Sequence, residues 1–500
     1  MRKLLFIALL CSTMTSMAMV PPRDPSKWAE WQEQIAQQRA KEEQLIRSGI
    51  RQATAATQAV GTPTIIPRVL VIMVNFANYE FVSTKADVDS MFNGHNWTKD
   101  GATGSVRQYF YDQSMGQYNP QFDVVGPVTL EHNYGFYSTK GKGSVGYMVT
   151  EACAHVDAEV DFKQYDSDKD GKVDLVYVLY AGFGQNDKEY ISEDLVANTD
   201  SLIWPAYWNI NDAGYGSNQH VFDDKTIFAC EYSNELDGYF STIDTKVVAG
   251  IAVPCHEFSH ALGLPDLYAT NNAKHKQLGC WDVMCYPYNN DAHTPPSYSA
   301  YERFFMGWLE PTLITEPDDL QLEHITTSNK AYLISENDEH NLDGANPNPT
   351  VFYLLENRQQ KGWDIGVPGN GMLITRINYQ PSKWEYNTVN NTANSLGVDL
   401  IEADGQTPDT STDDGAFGKP GDAFPKGATE YLGITDHAIT NITMSKRIVS
   451  FAYRGGKPDD PTDVEQPNTA QQQTYKTIEN GQLLIHNNGN TYSIHGIRIK

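Results

Sequence analysis

The chain has 500 residues, of which 40% are hydrophobic and 11% aromatic, a composition that excludes a disordered protein. A chain of this length exceeds what one hydrophobic core serves, so at least two domains are expected. With 37 Lys and Arg against 63 Asp and Glu, the formal net charge is −26, which argues against nucleic acid or an anionic membrane surface as the main partner.

The N-terminus has the three parts of a secretory signal. Arg2-Lys3 precedes an apolar run from Leu4 to Leu10, and Ser16-Met17-Ala18 offers small residues for cleavage. No later stretch approaches the roughly 18 apolar residues of a membrane span. We therefore predict a signal peptide at 1–18, no transmembrane segment, and a protein that is secreted or held at the cell surface.

Residues 19–65 are polar and helix-prone, with Trp28, Trp31 and Ile35 at roughly helical spacing. In an exported protein this favours a pro-segment, and a mobile N-terminal extension is the alternative. No cysteine lies between residues 19 and 152, so a thiolate from this segment cannot block a metal site. Asp24 is a candidate substitute ligand.

The folded region is predicted to open with Arg68 to Phe76, an apolar run typical of a strand buried on both faces. Helices are predicted at 105–114 and 146–160, with strands at 118–130 between them. This order indicates a mixed α/β layout. Further along, 182–185 and 201–205 are predicted to form the edge strand and wall of a peptide-binding cleft.

Between the predicted helix at 146–160 and the segment 182–185 lies an acidic loop, Asp166-Ser-Asp-Lys-Asp-Gly-Lys-Val-Asp174. Its carboxylates stand at positions 1, 3, 5 and 9 of an EF-hand-type loop, and Gly171 makes the sharp turn. Because position 12 is Tyr177 instead of glutamate, a weak structural Ca²⁺ site is favoured over a calcium sensor. An acidic surface turn is the alternative. The predicted calcium ligands are Asp166, Asp168, Asp170, Asp174 and the backbone carbonyl of Lys172.

The central motif is Cys255-His-Glu-Phe-Ser-His-Ala-Leu-Gly-Leu-Pro-Asp-Leu-Tyr268. Two histidines four residues apart share one helix face and can bind one metal ion. Gly263 and Pro265 can end the helix, so that the chain turns back and offers a third ligand. Three protein ligands leave the fourth zinc position to water, whose proton a neighbouring glutamate can take. We predict His256, His260 and Asp266 as Zn²⁺ ligands and Glu257 as the catalytic base.

Several assignments around this motif stay open. Glu302 is an alternative third ligand to Asp266. Met284 lies in a turn after the motif, where metzincin peptidases place a methionine turn beneath the metal. Candidates for a tyrosine that stabilises the transition state are Tyr286, Tyr298 and Tyr301.

Cysteine usage does not indicate a disulfide scaffold. Of the 6 cysteines, Cys11 lies in the signal. An odd number therefore remains, and at least one is unpaired. Cys280 and Cys285 could bridge a tight loop.

From residue 311 to 455 short apolar segments alternate with Asn, Asp, Gly and Pro, as in an antiparallel β-sandwich. Residues 456–475 are a linker by composition. Residues 476–500 alternate apolar side chains around Asn488-Gly489, which predicts a hairpin.

Three blocks together resemble the immune inhibitor A family of secreted bacterial metallopeptidases: 256–268, 280–284 and 299–308. The acidic loop, 105–110 and 353–358 also look like that family, so the resemblance covers roughly residues 66–455. It implies a zincin fold of metzincin character at 66–310, zinc-dependent cleavage of peptide bonds, and Asp266 in place of the metzincin histidine. The C-terminal tail is similar to the sorting tails of secreted Bacteroidetes proteins, which implies secretion machinery as a partner.

The expected protein is thus an α+β zinc endopeptidase, made as a proenzyme, stabilised by calcium and acting on protein or peptide substrates. A different class remains as the alternative: a non-catalytic surface binding or adhesion protein built on a zincin scaffold.

Overall fold

The structure, a computed structural model, describes residues 18–27, 30–31, 33, 61–138, 141–210, 220–271, 278–288, 292–406, 417–457, 474–479, 482–487, 490–493 and 498–499. The chain divides into two compact units, Met1–Gly455 and Gly456–Lys500. The predicted signal peptide, apart from Ala18, lies outside the described residues, and so does most of the predicted linker.

The described strands of the first unit fall into four sheets. They are β1 (Ala18–Met19), β2 (Arg68–Asn75), β3 (Gln121–Thr129), β4 (Lys172–Val173), β5 (Val176–Phe183), β6 (Ala206–Asn209), β7 (His220–Phe222), β8 (Lys225–Ile227), β9 (Ala229–Leu236), β10 (Thr312–Leu313), β11 (Asp318–Leu322), β12 (Tyr332–Ile334), β13 (Val351–Arg358), β14 (Gly371–Asn378), β15 (Val398–Ile401), β16 (Ile439–Ser445) and β17 (Ile448–Tyr453).

The described α-helices of this unit include two that the apolar spacing predicts at 105–114 and 146–160, and one, at 85–93, that it does not. They are α1 (Lys85–Asn93), α2 (Val106–Gln113), α3 (Val145–Val156), α4 (Ala252–Ala261), α5 (Ala300–Phe305), α6 (Ile325–Ser328) and α7 (Pro381–Glu385). Serine or threonine side chains cap the N-termini of α1, α2, α3 and α5.

The central sheet has six strands in the order β1-β6-β9-β5-β2-β3. Strands β9, β5, β2 and β3 run parallel, whereas β6 is antiparallel to β9 and β1 is antiparallel to β6. The parallel part is covered on both faces, which is why β5 and β9 are buried along their whole length. A small sheet in the order β4-β8-β7 carries the end of the acidic loop.

The region 311–455 contributes a five-stranded sheet, β10-β12-β13-β14-β15, and a three-stranded sheet, β11-β17-β16. Alternating side chains of the larger sheet enter two different cores. Tyr353 and Leu355 share a core with Val449 of the smaller sheet, whereas Phe352 and Leu354 join the core of the central sheet. Both faces of the larger sheet are therefore buried, and this region lies in the same compact unit as the central sheet.

The second unit contains β18 (Thr474–Glu479), β19 (Gln482–Asn487) and β20 (Asn490–Ser493), paired antiparallel in that order. Asn487 stands opposite Asn490, on either side of the predicted turn, whose residues 488–489 lie outside the described part. The alternation that predicts one hairpin therefore lies in a three-stranded sheet.

Within the described part of the chain, no helix combines the length and the apolar character needed to cross a membrane. The cysteines of this part are buried and form no disulfide with one another, so the bridge that the spacing allows between Cys280 and Cys285 is not formed. The backbone N–H of Gly279 instead donates to the Cys285 sulfur at 3.1 Å.

Candidate active site

Helix α4 is buried along its whole length, so its two histidines lie in the interior of the first unit. Pro254 stands in the first helical turn, where its missing N–H removes no helical hydrogen bond. At the other end Gly263 has a φ of +102°, and the Leu264 N–H donates to the Ser259 carbonyl at 3.0 Å. The helix ends at the glycine that the sequence indicates, and the chain turns back towards the histidines.

The two histidines of α4 direct their Nε2 atoms at one point. The Nε2 atoms of His256 and His260 are 3.3 Å apart. On the other side of each ring, His256 Nδ1 lies 2.7 Å from the Val283 carbonyl and His260 Nδ1 lies 2.7 Å from the Leu264 carbonyl. A carbonyl oxygen only accepts, so Nδ1 carries the proton in both rings and Nε2 keeps its lone pair for a metal.

Asp266 completes this group. Its Oδ1 lies 3.3 Å from His256 Nε2 and 3.2 Å from His260 Nε2. Asn387 holds the carboxylate from the far side, since its Nδ2 donates to Asp266 Oδ2 at 2.5 Å and its Oδ1 accepts from the Asp266 N–H at 2.6 Å. Burial raises the pKa of Asp266, whereas positive charge on the two histidine rings would lower it well below its ordinary value.

The three inward-facing atoms fit a zinc ion. Ligands about 2.0–2.1 Å from a tetrahedral zinc lie about 3.3–3.4 Å from one another. The three separations here are 3.3, 3.3 and 3.2 Å. Asp266 Oδ1 is buried and has no hydrogen-bond partner among the described residues, so it is available to a cation. Glu302 lies elsewhere and accepts from the Ser299 N–H at 2.6 Å, as part of the cap of α5.

Glu257 follows the first histidine and is completely buried. Its Oε1 accepts from the Val20 N–H at 2.8 Å, while Oε2 has no hydrogen-bond partner in the described part of the chain. Burial raises the pKa of Glu257 to about 8, an effect that His256 reduces and Asp266 increases. A carboxyl group that titrates near neutral pH can take up a proton and release it again, as a general base must.

The turn that contains Met284 lies against the ligands. The Met284 side chain is buried, and its N–H donates to Asp282 Oδ1 at 2.7 Å. The Met284 carbonyl accepts from the Leu267 N–H at 2.9 Å, next to Asp266. Because the carbonyl before it, that of Val283, is the partner of His256 Nδ1, this turn positions two of the three ligands.

The N-terminal segment, described at residues 18–27, 30–31 and 33, contacts the site directly. Strand β1 extends the central sheet beyond its edge strand β6, with Met19 opposite Ala206. The Tyr268 hydroxyl donates to the Met19 carbonyl, and the Val20 N–H donates to Glu257. The Trp204 Nε1–H donates to the Val20 carbonyl at 2.9 Å. Both polar groups of the Met19–Val20 peptide are therefore hydrogen-bonded to the site, the carbonyl to Tyr268 and the N–H to Glu257.

Three of the four carboxylates predicted to bind calcium converge. One oxygen each of Asp166, Asp168 and Asp174 lies within 4.8 Å of the others. Asp170 is outside this group, because its Oδ1 accepts from the Lys172 N–H at 2.8 Å and its Oδ2 lies 3.3 Å from Lys172 Nζ.

The converging carboxylates carry excess negative charge. Burial, with smaller contributions from the neighbouring Asp168 and Asp166, raises the pKa of Asp174 to about 6, although hydrogen bonds from Ser167 oppose the rise. Lys225 Nζ contacts Asp166 Oδ2 and neutralises part of this charge. Asp166 Oδ1 is buried and without a hydrogen-bond partner among the described residues, which leaves an oxygen for a cation.

The three tyrosines considered as candidates for stabilising the transition state make contacts with other groups. The Tyr286 hydroxyl donates to the Arg23 carbonyl at 2.8 Å, and Tyr298 OH lies 2.5 Å from Ser259 Oγ. Tyr301 is buried against Trp384.

Asp24, the candidate blocking ligand, accepts from the Ser26 N–H at 2.9 Å and is not among the converging ligands. The segment reaches the site four residues earlier, at Val20, and it does so through backbone groups.

Two residues of the site escape the sequence reasoning. Tyr268 stands two residues after Asp266, so a search of the motif itself for hydroxyl donors would find it. Asn387 lies 121 residues from Asp266 in the chain, in a region whose local pattern indicates only short strands and turns. The edge strand β6 begins directly after 201–205, whose Trp204 contributes a wall contact of the predicted cleft.

Two comparisons with known proteins bear on the region that contains this site. Residues 79–306 match the family described as immune inhibitor A peptidase M6, catalytic domain. A relative named immune inhibitor A, from Bacillus thuringiensis subsp. alesti, is 25% identical over 256 residues. That alignment covers 43% of this chain and 36% of the relative, so the chain spans about a third of the curated protein that it matches. Residues 79–306 are thus similar to a peptidase M6 catalytic domain.

Proposed function

We propose that the protein is a secreted zinc-dependent endopeptidase that hydrolyses peptide bonds of protein substrates, made as a proenzyme and stabilised by calcium. One observation carries this proposal. His256, His260 and Asp266 converge with the spacing of zinc ligands, and Glu257 beside them accepts a hydrogen bond from the N–H of a peptide group.

The site residues can divide the hydrolysis of a peptide bond among them. When bound, zinc supplies a Lewis acid that polarises the scissile carbonyl and acidifies water. Glu257 takes the proton of the attacking water and delivers it to the departing amide nitrogen, the atom it faces in the Met19–Val20 peptide. Tyr268 donates to the carbonyl oxygen of that peptide, so it can stabilise the negative charge that develops there.

The position of the N-terminal segment would keep the proenzyme inactive. A peptide already pairs with β6 and occupies Glu257, so a second peptide cannot reach the same groups. The buried Trp31 ring stacks on Trp204 at 6.1 Å between centroids and lies 5.1 Å from Tyr268, which holds the segment in the cleft. Release of this segment is therefore the activating step.

Calcium binding at Asp166, Asp168 and Asp174 would neutralise three converging carboxylates. Asp174 belongs to the same turn as β4 and lies directly before β5 of the central sheet, so the ion would stabilise the start of a core strand. Export depends on the proposed signal at 1–18, and the second unit is the proposed contact with secretion machinery.

The decisive test compares Glu257→Ala with the unchanged protein, both taken after removal of the N-terminal segment. We expect one zinc per chain by mass spectrometry in both, and a rate of casein cleavage at least about 10²-fold lower in the variant, because acid–base catalysis contributes 10²–10⁴-fold. The exposed Glu159→Ala serves as control and should cleave at the unchanged rate.

Unchanged protein that holds zinc, lacks its N-terminal segment and cleaves no protein substrate would overturn the proposal. That result would favour the non-catalytic surface protein. Chelation should abolish cleavage by the active protein, and added zinc should restore it.

A further inference from the structure

A buried arginine of the N-terminal segment lies three residues after the peptide nitrogen that faces Glu257. Arg23 is 7% exposed, and its Nη1 donates to Asp237 Oδ2 at 2.8 Å. Its Nη1 also lies 3.9 Å from Asp187 Oδ2. The guanidinium carbon is 4.7 Å from the ring centre of Tyr239, 5.4 Å from that of Phe240 and 5.9 Å from that of Tyr288. Two carboxylates and three aromatic faces thus surround one cation.

Residues outside the N-terminal segment form this pocket. Asp237 Oδ1 accepts from the N–H groups of Tyr239 and Phe240 at 2.8 and 2.9 Å, so the other oxygen is left for the cation. Asp187 Oδ2 accepts from the Gly238 N–H at 3.0 Å. The loop 237–240 therefore holds both carboxylates in position without help from the N-terminal segment.

The pocket requires a cation. Asp187 and Asp237 are 4% and 1% exposed, so without a positive partner two like charges would be buried side by side. Burial raises the pKa of Asp187 to about 6, while Arg23 lowers it and Asp237 raises it. When the N-terminal segment leaves, the loop 237–240 still holds the two carboxylates side by side in the cleft.

The segment between the reacting centre and this pocket is bound through backbone groups that any peptide possesses. Tyr288 OH donates to the Pro21 carbonyl at 3.0 Å and Tyr286 OH donates to the Arg23 carbonyl at 2.8 Å. The Arg23 N–H donates to the Asn186 carbonyl at 3.2 Å. A substrate lying in the same register can make these contacts with any side chains, and its fourth residue after the cleaved bond would enter the pocket.

We propose that Asp187 and Asp237 form a cation subsite that makes the peptidase prefer substrates with arginine at the fourth residue after the cleaved bond. This inference rests on the proposed function. Asp187 and Asp237 are specificity-determining residues in it, because they contact a side chain of the substrate and not the reacting atoms. Lysine should be second best, since its compact ammonium ion cannot stack on the aromatic faces as a planar guanidinium does.

The test uses the active protein and quenched peptides that differ only at that fourth residue, which is arginine, lysine, methionine or glutamate. Removing one partner of a buried charge pair generally causes a large loss of binding affinity. We therefore expect kcat/KM to be roughly 30-fold higher for arginine than for methionine, and glutamate to be the poorest. Mass spectrometry of the products checks that the cleaved bond lies four residues before the varied position.

Asp187→Asn combined with Asp237→Asn should bring the arginine-to-methionine ratio of kcat/KM close to one. Glu189→Gln is the matched control, because Glu189 forms partly exposed pairs with Lys27 at 3.7 Å and with Lys188 at 3.8 Å, and it should keep the preference.

A second measurement does not depend on cleavage or on the folding of the double variant. A peptide covering residues 19–27 should inhibit casein cleavage by the active protein, and its Arg23→Met form should inhibit roughly 30-fold less. Active protein that cleaves casein but treats the four peptides alike, or is inhibited equally by both forms, would overturn the subsite alone. Protein that cleaves nothing would instead overturn the proposed function.

Discussion

At the scale of single residues, the site depends on a side chain that binds no metal itself. Asn387 makes two hydrogen bonds to Asp266 and has a φ of +52°. Replacing it with glycine, which accepts this backbone conformation, should lower zinc affinity about 10–100-fold, as loss of a partner behind a ligand does. Competition with a fluorescent chelator measures this affinity. Asn441→Gly, at an exposed position with a φ of +54°, should leave it unchanged, and an equal loss in both variants would contradict the role of Asn387.

Glu231 on β9 provides a second test at this scale. Both of its carboxyl oxygens are buried without a hydrogen-bond partner among the described residues. Burial, and to a lesser extent Glu257, raises the pKa of Glu231 well above its ordinary value, so the folded protein keeps this proton when the unfolded chain has lost it. The free energy of unfolding must therefore fall as pH rises above the unfolded value of about 4.3.

Glu231→Gln removes this dependence. Compared with the unchanged protein, the variant should gain stability steadily from pH 5 to pH 8, by up to about 1.4 kcal/mol per pH unit. Urea denaturation at several pH values measures the difference. Glu159→Gln, at an exposed position, should run parallel to the unchanged protein, and a Glu231→Gln curve that also did so would refute the argument.

At the scale of elements, the end of α4 fixes where the third ligand stands. A Cβ on Gly263 would lie 2.1 Å from the Thr62 carbonyl oxygen, and the φ of +102° adds backbone strain. Gly307 has a φ of +71° but open space around it, so an alanine there would suffer only the backbone strain and no steric clash. Gly307→Ala should cost about 1–2 kcal/mol. Gly263→Ala should cost more and also weaken zinc binding, as thermal denaturation with and without zinc would measure; equal costs would contradict the clash.

At the scale of the whole molecule, a buried ion cluster joins the larger sheet to α5. Arg358 lies 2.5 Å from Asp364 and 3.1 Å from Glu356, and the Asp364 carboxylate accepts from the Ser297 N–H at 2.9 Å just before α5. Arg358→Met would leave two buried carboxylates without their cation and should lower the free energy of unfolding by about 3–5 kcal/mol.

The control for this prediction is Lys330→Met. Lys330 pairs with Glu323 at 2.9 Å, both side chains are more than half exposed, and loss of such a surface pair should cost far less than loss of a buried one. Equal losses in the two variants, measured by denaturant unfolding, would show that the Arg358 cluster does not join the two regions.

How far the sequence predicts this protein depends on the distance over which each feature is encoded. The ligands and Glu257 lie within eleven residues on one helix and its following turn, so spacing alone brings them together. The pairing of Asp266 with Asn387 spans 121 residues and that of Arg23 with Asp237 spans 214, and no periodicity connects such positions. The apolar runs predict the strands, but not that the sheet of 311–455 buries both of its faces.

The turn after α4 also limits which part of the N-terminal region can be removed. The Gly61 N–H donates to the Gly263 carbonyl at 2.7 Å, and the Thr64 N–H donates to the Leu262 carbonyl at 2.9 Å. Ile66 is fully buried, and its carbonyl accepts from Tyr118 OH at 2.6 Å. Residues 61–66 therefore support the turn at 262–263, which precedes Asp266, and belong to the folded domain. In the proposed proenzyme we expect the maturation cut upstream of Gly61, because removal of residues 61–66 would also remove these contacts to the loop of the predicted ligands.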